Sequence, residues 1–92
     1  MFERAIRRSR LGLKLSILRA CMDGIEKPTR LMNATNMSWT LSQELIKGLV
    51  DAGYLELIRL GPNNRSNRRY HITEKGKNVL IYLRKTEDLI NF

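Results

Sequence analysis

The sequence predicts a mainly α-helical domain that carries one small β-hairpin and a further helix after it. Three observations support this. Two apolar-periodic stretches, near residues 11–22 and 38–52, have helical spacing and run into Asp23-Gly24 and Gly53. Two strand-like segments, Tyr54–Leu60 and Arg69–Ile72, flank Gly61-Pro62-Asn63-Asn64-Arg65-Ser66-Asn67-Arg68, which is dense in turn-forming residues. Thr73-Glu74 then opens another helical stretch, with Thr73 as cap and Glu74 placed well for the helix dipole.

Taken in order, residues 1–10 are dominated by Arg4, Arg7, Arg8 and Arg10. They form either a mobile basic arm or the exposed start of the first helix. That helix is expected over Leu11–Met22, burying Leu11, Leu15, Leu18 and Met22, with Ile17 and Cys21 widening the stripe. Gly24 suits a left-handed cap. A second, short helix is expected from Pro28 or Thr29 to Thr35, capped by Thr29. Leu31 and Met32 would face inward, and Ala34 would let a neighbouring helix come close. Asn36 is a candidate for positive φ in the turn, and Met37 would plug the corner before the third helix.

Ser38 is expected to cap the third helix, which continues to Ala52. At 100° per residue, Leu41, Leu45, Leu49 and Ala52 make one stripe, with Gly48 beside it. Thr40, Gln43, Glu44, Lys47 and Asp51 make the opposite face, with Trp39 and Val50 on its margin. Gly53 fits a left-handed C-cap. A short helix, a tight turn, a capped amphipathic helix and a basic hairpin follow one another in the order of a winged helix-turn-helix. The expected organisation is therefore an arm or helix extension at 1–10, a winged helix-turn-helix at 11–72, and a C-terminal helix at 73–92.

Composition narrows the partners. The 92 residues suit one domain, which at this size buries roughly 60–65% of its unfolded surface, so association would add stability. The net charge is +8, from 17 Lys and Arg against 9 Asp and Glu. Such a balance points to a polyanion, nucleic acid or an anionic membrane surface. A merely soluble basic protein has the same charge; the coincidence of the basic residues with the helix-turn-helix pattern favours nucleic acid. Cys21 is the single cysteine, so no internal disulfide forms and a reducing compartment is expected; with a nucleic-acid partner, the expected setting is cytoplasmic and nucleoid-associated. It lies in an apolar stripe and reads as a small core residue. No apolar run has the length of a membrane span, and no signal peptide is expected.

The DNA-contacting candidates lie on three segments. On the third helix, Gln43 can pair bidentately with adenine, Lys47 can reach guanine or phosphate, and Thr40 can meet a base edge or a thymine methyl. Ser38 and Trp39 stand at the end that enters a groove, with Trp39 against sugar or methyl groups. Glu44 and Asp51 are expected at the flank. A plain solvated helix face would have the same residues; the turn just before Ser38 favours the groove. In the wing, Arg65, Arg68 and Arg69 stand among Asn63, Asn64 and Asn67, with no acid from Gly61 to Ile72. They can neutralise phosphates or enter a narrow minor groove. Thr29 and Arg30 can add phosphate contacts, and so can the arm residues Arg4, Arg7, Arg8 and Arg10. The single histidine, His71, points away from Tyr70 and Ile72 and reads as a surface or DNA-facing residue. No metal-ligand spacing, phosphate loop, carboxylate pair or nucleophile constellation is visible. No enzyme activity, cofactor, metal or small-molecule ligand is expected. In the last helix Val79, Leu80 and Leu83 are expected on the core. Ile81, Tyr82, Leu89, Ile90 and Phe92 exceed the apolar surface one small domain needs, and predict a homodimer interface or packing back onto the first helix.

The order Thr29-Arg30-Leu31-Met32, Asn36-Met37-Ser38, Leu41, Leu45-Ile46-Lys47, Leu49, Gly53-Tyr54-Leu55 and Tyr70-His71-Ile72-Thr73-Glu74-Lys75-Gly76 resembles a family of archaeal winged-helix proteins. That family includes a small dimeric nucleoid protein and many predicted transcriptional regulators. The resemblance covers roughly Leu13 to Leu83. It implies DNA binding through the third helix and the wing, and dimerisation of the last helix as an antiparallel coiled coil. This wing is longer and richer in Arg than the nucleoid member's compact turn, and the last helix ends by Phe92, so the coiled coil would be short. Both departures favour a local regulator. The expected function is a dimeric, sequence-preferring, double-stranded-DNA-binding transcription regulator. An architectural chromatin protein and a winged-helix protein-interaction module, the latter supported by Glu44 and Asp51, are the alternatives.

Overall fold

The computed structural model of the chain describes residues 9–61 and 67–90, with side chains as far as residue 86. The first helix, α1 (Arg10–Met22), starts one residue before the expected boundary because Ser9 caps it, its Oγ accepting from the Gly12 N–H at 3.0 Å. Arg10 is therefore helical, whereas Arg4, Arg7 and Arg8 lie outside the described residues. The buried positions of α1 are Gly12, Leu15, Ile17, Leu18, Ala20 and Cys21. Leu11 and Met22, expected in the stripe, are instead 56% and 44% exposed. The reason is position. Helix α1 is the central helix, touched by three other helices and the hairpin, so its middle is covered on several sides while its ends are not. Burial pushes the Cys21 thiol up to about 12, with the charge of Glu26 adding to the effect, so it stays protonated at neutral pH.

Helix α2 (Pro28–Ala34) begins with Lys27 at the N-cap and no side-chain cap. Thr29 is thus inside the first turn and does not cap it; Pro28, which lacks an N–H, leaves one fewer donor to satisfy. Leu31 is fully buried. Ala34, expected to admit a neighbouring helix, is exposed, and Thr35 is the C-cap, its Oγ1 donating to the Leu31 carbonyl at 2.6 Å. Asn36 takes φ +56°, and Met37 packs against the core at the corner.

Helix α3 (Trp39–Asp51) has Ser38 as N-cap and Ala52 as C-cap, followed by Gly53 at φ +86°. Its buried side is Ser42, Leu45, Ile46 and Leu49. This is rotated from the expected stripe: Leu41 is half-buried, and Gly48 and Ala52 are exposed. Ser42 explains the error. Its hydroxyl donates to the Trp39 carbonyl at 2.9 Å, so a small polar residue is satisfied within its own helix and can sit at the centre of the packed face.

Strands β1 (Leu55–Arg59) and β2 (Arg68–Ile72) pair antiparallel, with Leu55 opposite Ile72, Leu57 opposite Tyr70 and Arg59 opposite Arg68. Leu55, Leu57, Tyr70 and Ile72 all pack on the core. The other edge of β2 meets the α1–α2 connection, where the Tyr70 N–H donates to the Glu26 carbonyl at 3.0 Å.

Helix α4 (Glu74–Ile90) packs Val79, Leu80 and Leu83 against the core, as expected. Its first turn also closes the end of α3. Thr73 Oγ1 accepts from the Gly76 N–H at 3.1 Å and donates to the Gly53 carbonyl at 2.6 Å. Lys75 Nζ donates to the Ala52 carbonyl at 2.7 Å and lies 4.7 Å from the Tyr54 ring centre. Gly76 is required by close approach: a Cβ there would overlap the Tyr54 carbonyl oxygen and stand 2.7 Å from Ile72 Cγ1.

Candidate nucleic-acid interface

Helix α2 and the turn at Asn36 set the angle at which α3 leaves the core. The turn is closed by the Met37 N–H donating to Met32 O at 3.1 Å and the Asn36 N–H to Asn33 O at 3.2 Å. Ser38 Oγ then accepts from the Leu41 N–H at 3.2 Å, so one first-turn donor is satisfied locally. Ser38, Trp39 and Thr40 are exposed at this end, and Lys47 is exposed further along the same outer side. Among the described residues the side chains of Trp39, Thr40 and Lys47 have no hydrogen-bond or ion-pair partner.

Gln43 is placed differently from the expectation. It lies at the margin of the buried stripe, half-buried, with its Nε2 shielded and without an acceptor among the described residues. In this rotamer it does not offer both amide groups to a base, and an orphaned donor costs about 1–3 kcal/mol. Glu44, expected at the flank, stands on the outer side between Thr40 and Lys47, where Arg10 Nη2 meets its Oε1 at 3.0 Å. Arg10, expected as an arm contact to DNA, is thereby engaged with the third helix. The pair is solvated on both sides, so it contributes little to stability, but it offsets the one carboxylate between Thr40 and Lys47.

Thr29 and Arg30 are both exposed on the first turn of α2. In the wing, Asn64 and Arg65 lie outside the described residues. Arg68 and Arg69 are half-buried and, being consecutive on β2, leave opposite faces of the hairpin. The expected cluster of wing arginines is therefore split. Arg68 Nη1 is 3.5 Å from Tyr70 Oη, while Arg69 Nη1 donates to the Arg68 carbonyl at 3.1 Å. His71 is on the surface, where its Nε2 meets Glu26 Oε1 at 2.8 Å. Arg59 escaped the sequence reading. Only the register puts it across from Arg68, and no local signal sets that register.

On α4, Ile81 is 48% and Tyr82 71% exposed. The side chains of Leu89 and Ile90, and Phe92 altogether, lie outside the described residues. Among the described residues no group of three His, Cys, Asp or Glu side chains is placed to hold a metal ion, and no helix is long and apolar enough to cross a membrane.

Helix, turn, helix and hairpin in this arrangement define a winged-helix protein. The family model described as winged helix-turn-helix matches residues 7–91, and the chain belongs to that family. No curated protein matches it. Among solved structures, the chain is similar to the transcriptional regulator BldR from Sulfolobus solfataricus, at 25% identity and a TM-score of 0.72 over 86% of this chain and 57% of that one. It is similar to a MarR family transcriptional regulator from Silicibacter pomeroyi, at 21% identity and a TM-score of 0.75 over 97% and 60%. It is also similar to Streptococcus pneumoniae FabT in complex with DNA, at 17% identity and a TM-score of 0.68 over 97% and 65%. The chain thus spans 57–65% of the length of these structures. The shared feature is the fold.

Proposed function

We propose that the protein is a double-stranded-DNA-binding transcription regulator that presents the N-terminal half of α3 to the major groove and the wing to phosphates or the minor groove. The observation that carries this is the outer side of α3 after the Asn36 turn, where the side chains of Trp39, Thr40 and Lys47 are exposed and without a partner among the described residues, on a chain of net charge +8. The names of the similar structures, MarR family regulators and a DNA complex of FabT, support the same reading. Titration with duplex DNA over a range of salt tests it. With about five or six phosphates neutralised per bound unit, log K falls against log salt with a slope near −5. A salt-insensitive association overturns it. Selection from a random duplex pool separates a regulator, which enriches a sequence, from an architectural protein, which does not.

We further infer a homodimer built on α4. Ile81 and Tyr82 are large side chains left in solvent on a small domain. Sedimentation at low micromolar concentration is expected to give twice the chain mass; a monomer retires the inference.

A further inference from the structure

The two residues that open the wing carry a like-charge pair that no carboxylate balances among the described residues. Arg59 ends β1 and Arg68 starts β2, directly opposite one another. The Leu60 N–H donates to the Asn67 carbonyl at 2.9 Å, so 60 and 67 form a hydrogen-bonded pair. By the alternation of an antiparallel ladder, 59 and 68 form a non-hydrogen-bonded pair, the kind in which facing side chains come closest. Both leave the face that carries Leu55, Leu57, Tyr70 and Ile72. Like charges placed this way destabilise a hairpin. Among the described residues neither meets a carboxylate: Arg59 is exposed without a partner, and Arg68 touches only the Tyr70 hydroxyl. Glu56, the acid of β1, is on the opposite face, as is Arg69.

We propose that Arg59 and Arg68 form a two-pronged clamp for a single phosphodiester group of the DNA backbone, a proposal that rests on the DNA-binding reading above and adds Arg59 to it. Each guanidinium offers a planar fork of donors matched to phosphate oxygens, and one anion between two forks removes the repulsion that the register imposes. Tyr70 is a positioning residue. The residue is 4% exposed and held in the core, and its hydroxyl steadies the Arg68 fork. Arg69 faces away and takes no part.

The test is duplex binding across salt concentrations by the wild type, Arg59→Gln, Arg68→Gln and the double variant, with thermal melts of each without DNA. Both single variants are expected to bind several-fold more weakly. The salt slope is expected to change little in either single variant, because one arginine still meets the phosphate, and to fall by about 0.9 in the double. Without DNA, Arg59→Gln is expected to melt about 1–5 °C higher, since the repulsion is gone. Tyr70→Phe is expected to weaken binding in the wild type but not in the Arg68→Gln background. Wild-type affinity in the double variant overturns the clamp. So does a slope loss near 1.8 in the double variant, the signature of two separate phosphates. If the wild type itself ignores duplex DNA at low salt, the DNA reading fails instead.

Discussion

At its C-terminal end α3 is fastened by hydrogen bonds from distant parts of the chain, whereas the hydrogen bond at its N-terminus comes from its own cap. The fastening consists of Lys75 on the Ala52 carbonyl, Thr73 on the Gly53 carbonyl, the Tyr54 N–H on the Leu49 carbonyl at 2.9 Å, and Gly76 packed against the Tyr54 carbonyl. The open end has Ser38 Oγ on the Leu41 N–H and then Trp39 and Thr40 in solvent. The difference separates two duties along one helix. Residues at the fastened end set the stability of the domain. The exposed side chains at the open end, Trp39 and Thr40, are expected to contribute little to folding, so that under the proposed function their substitution reads on binding.

The strongest way to break this contrast is Gly76→Ala, where a Cβ meets backbone that cannot move aside. A loss of about 3 kcal/mol is expected in denaturant or thermal unfolding; a loss below about 1 kcal/mol removes the close joint. Thr73→Val next deletes one acceptor and one donor at the same joint, and about 1–2 kcal/mol is expected to go with them. On the outer side of α3, Lys47→Ala is expected to shift stability by no more than about 0.5 kcal/mol while lowering the salt slope of duplex binding by about one. A destabilised variant with an unchanged slope would make Lys47 structural. The smallest stability effect is expected from Glu44→Gln, within about 0.5 kcal/mol because its ion pair is solvated. Its readout is a gain in affinity for unrelated duplexes. Unaltered binding would mean that Arg10 already cancels the carboxylate or that this side of α3 does not face DNA.

Much of the fold was legible because caps and turns are local chemistry. Ser38, Asn36, Gly53 and Thr73 were expected where they stand, since a hydroxyl before a helix and a positive φ depend on a few neighbouring residues. Apolar periodicity was less secure. It put Leu11 and Met22 in the core and passed over Ser42, because a pattern does not show how many neighbours surround a helix or that a hydroxyl can be satisfied within its own turn. The candidate site was legible as residue types and less so as geometry. Trp39, Thr40 and Lys47 are exposed, while Gln43 is half-turned inward, Glu44 stands between Thr40 and Lys47, and Arg68 and Arg69 part company.

The amino-acid sequence by itself determined the succession of helices and strands, the caps at Ser38 and Thr73 and the basic charge, since each depends on residues within a turn or two of one another or on a simple sum. Only the tertiary structure decided which side of α1 and α3 is packed, that Arg10 reaches Glu44, and that Arg59 faces Arg68. These relations join residues distant in the chain. Their geometry follows from how helices pack and from hairpin register, which are properties of the assembled domain.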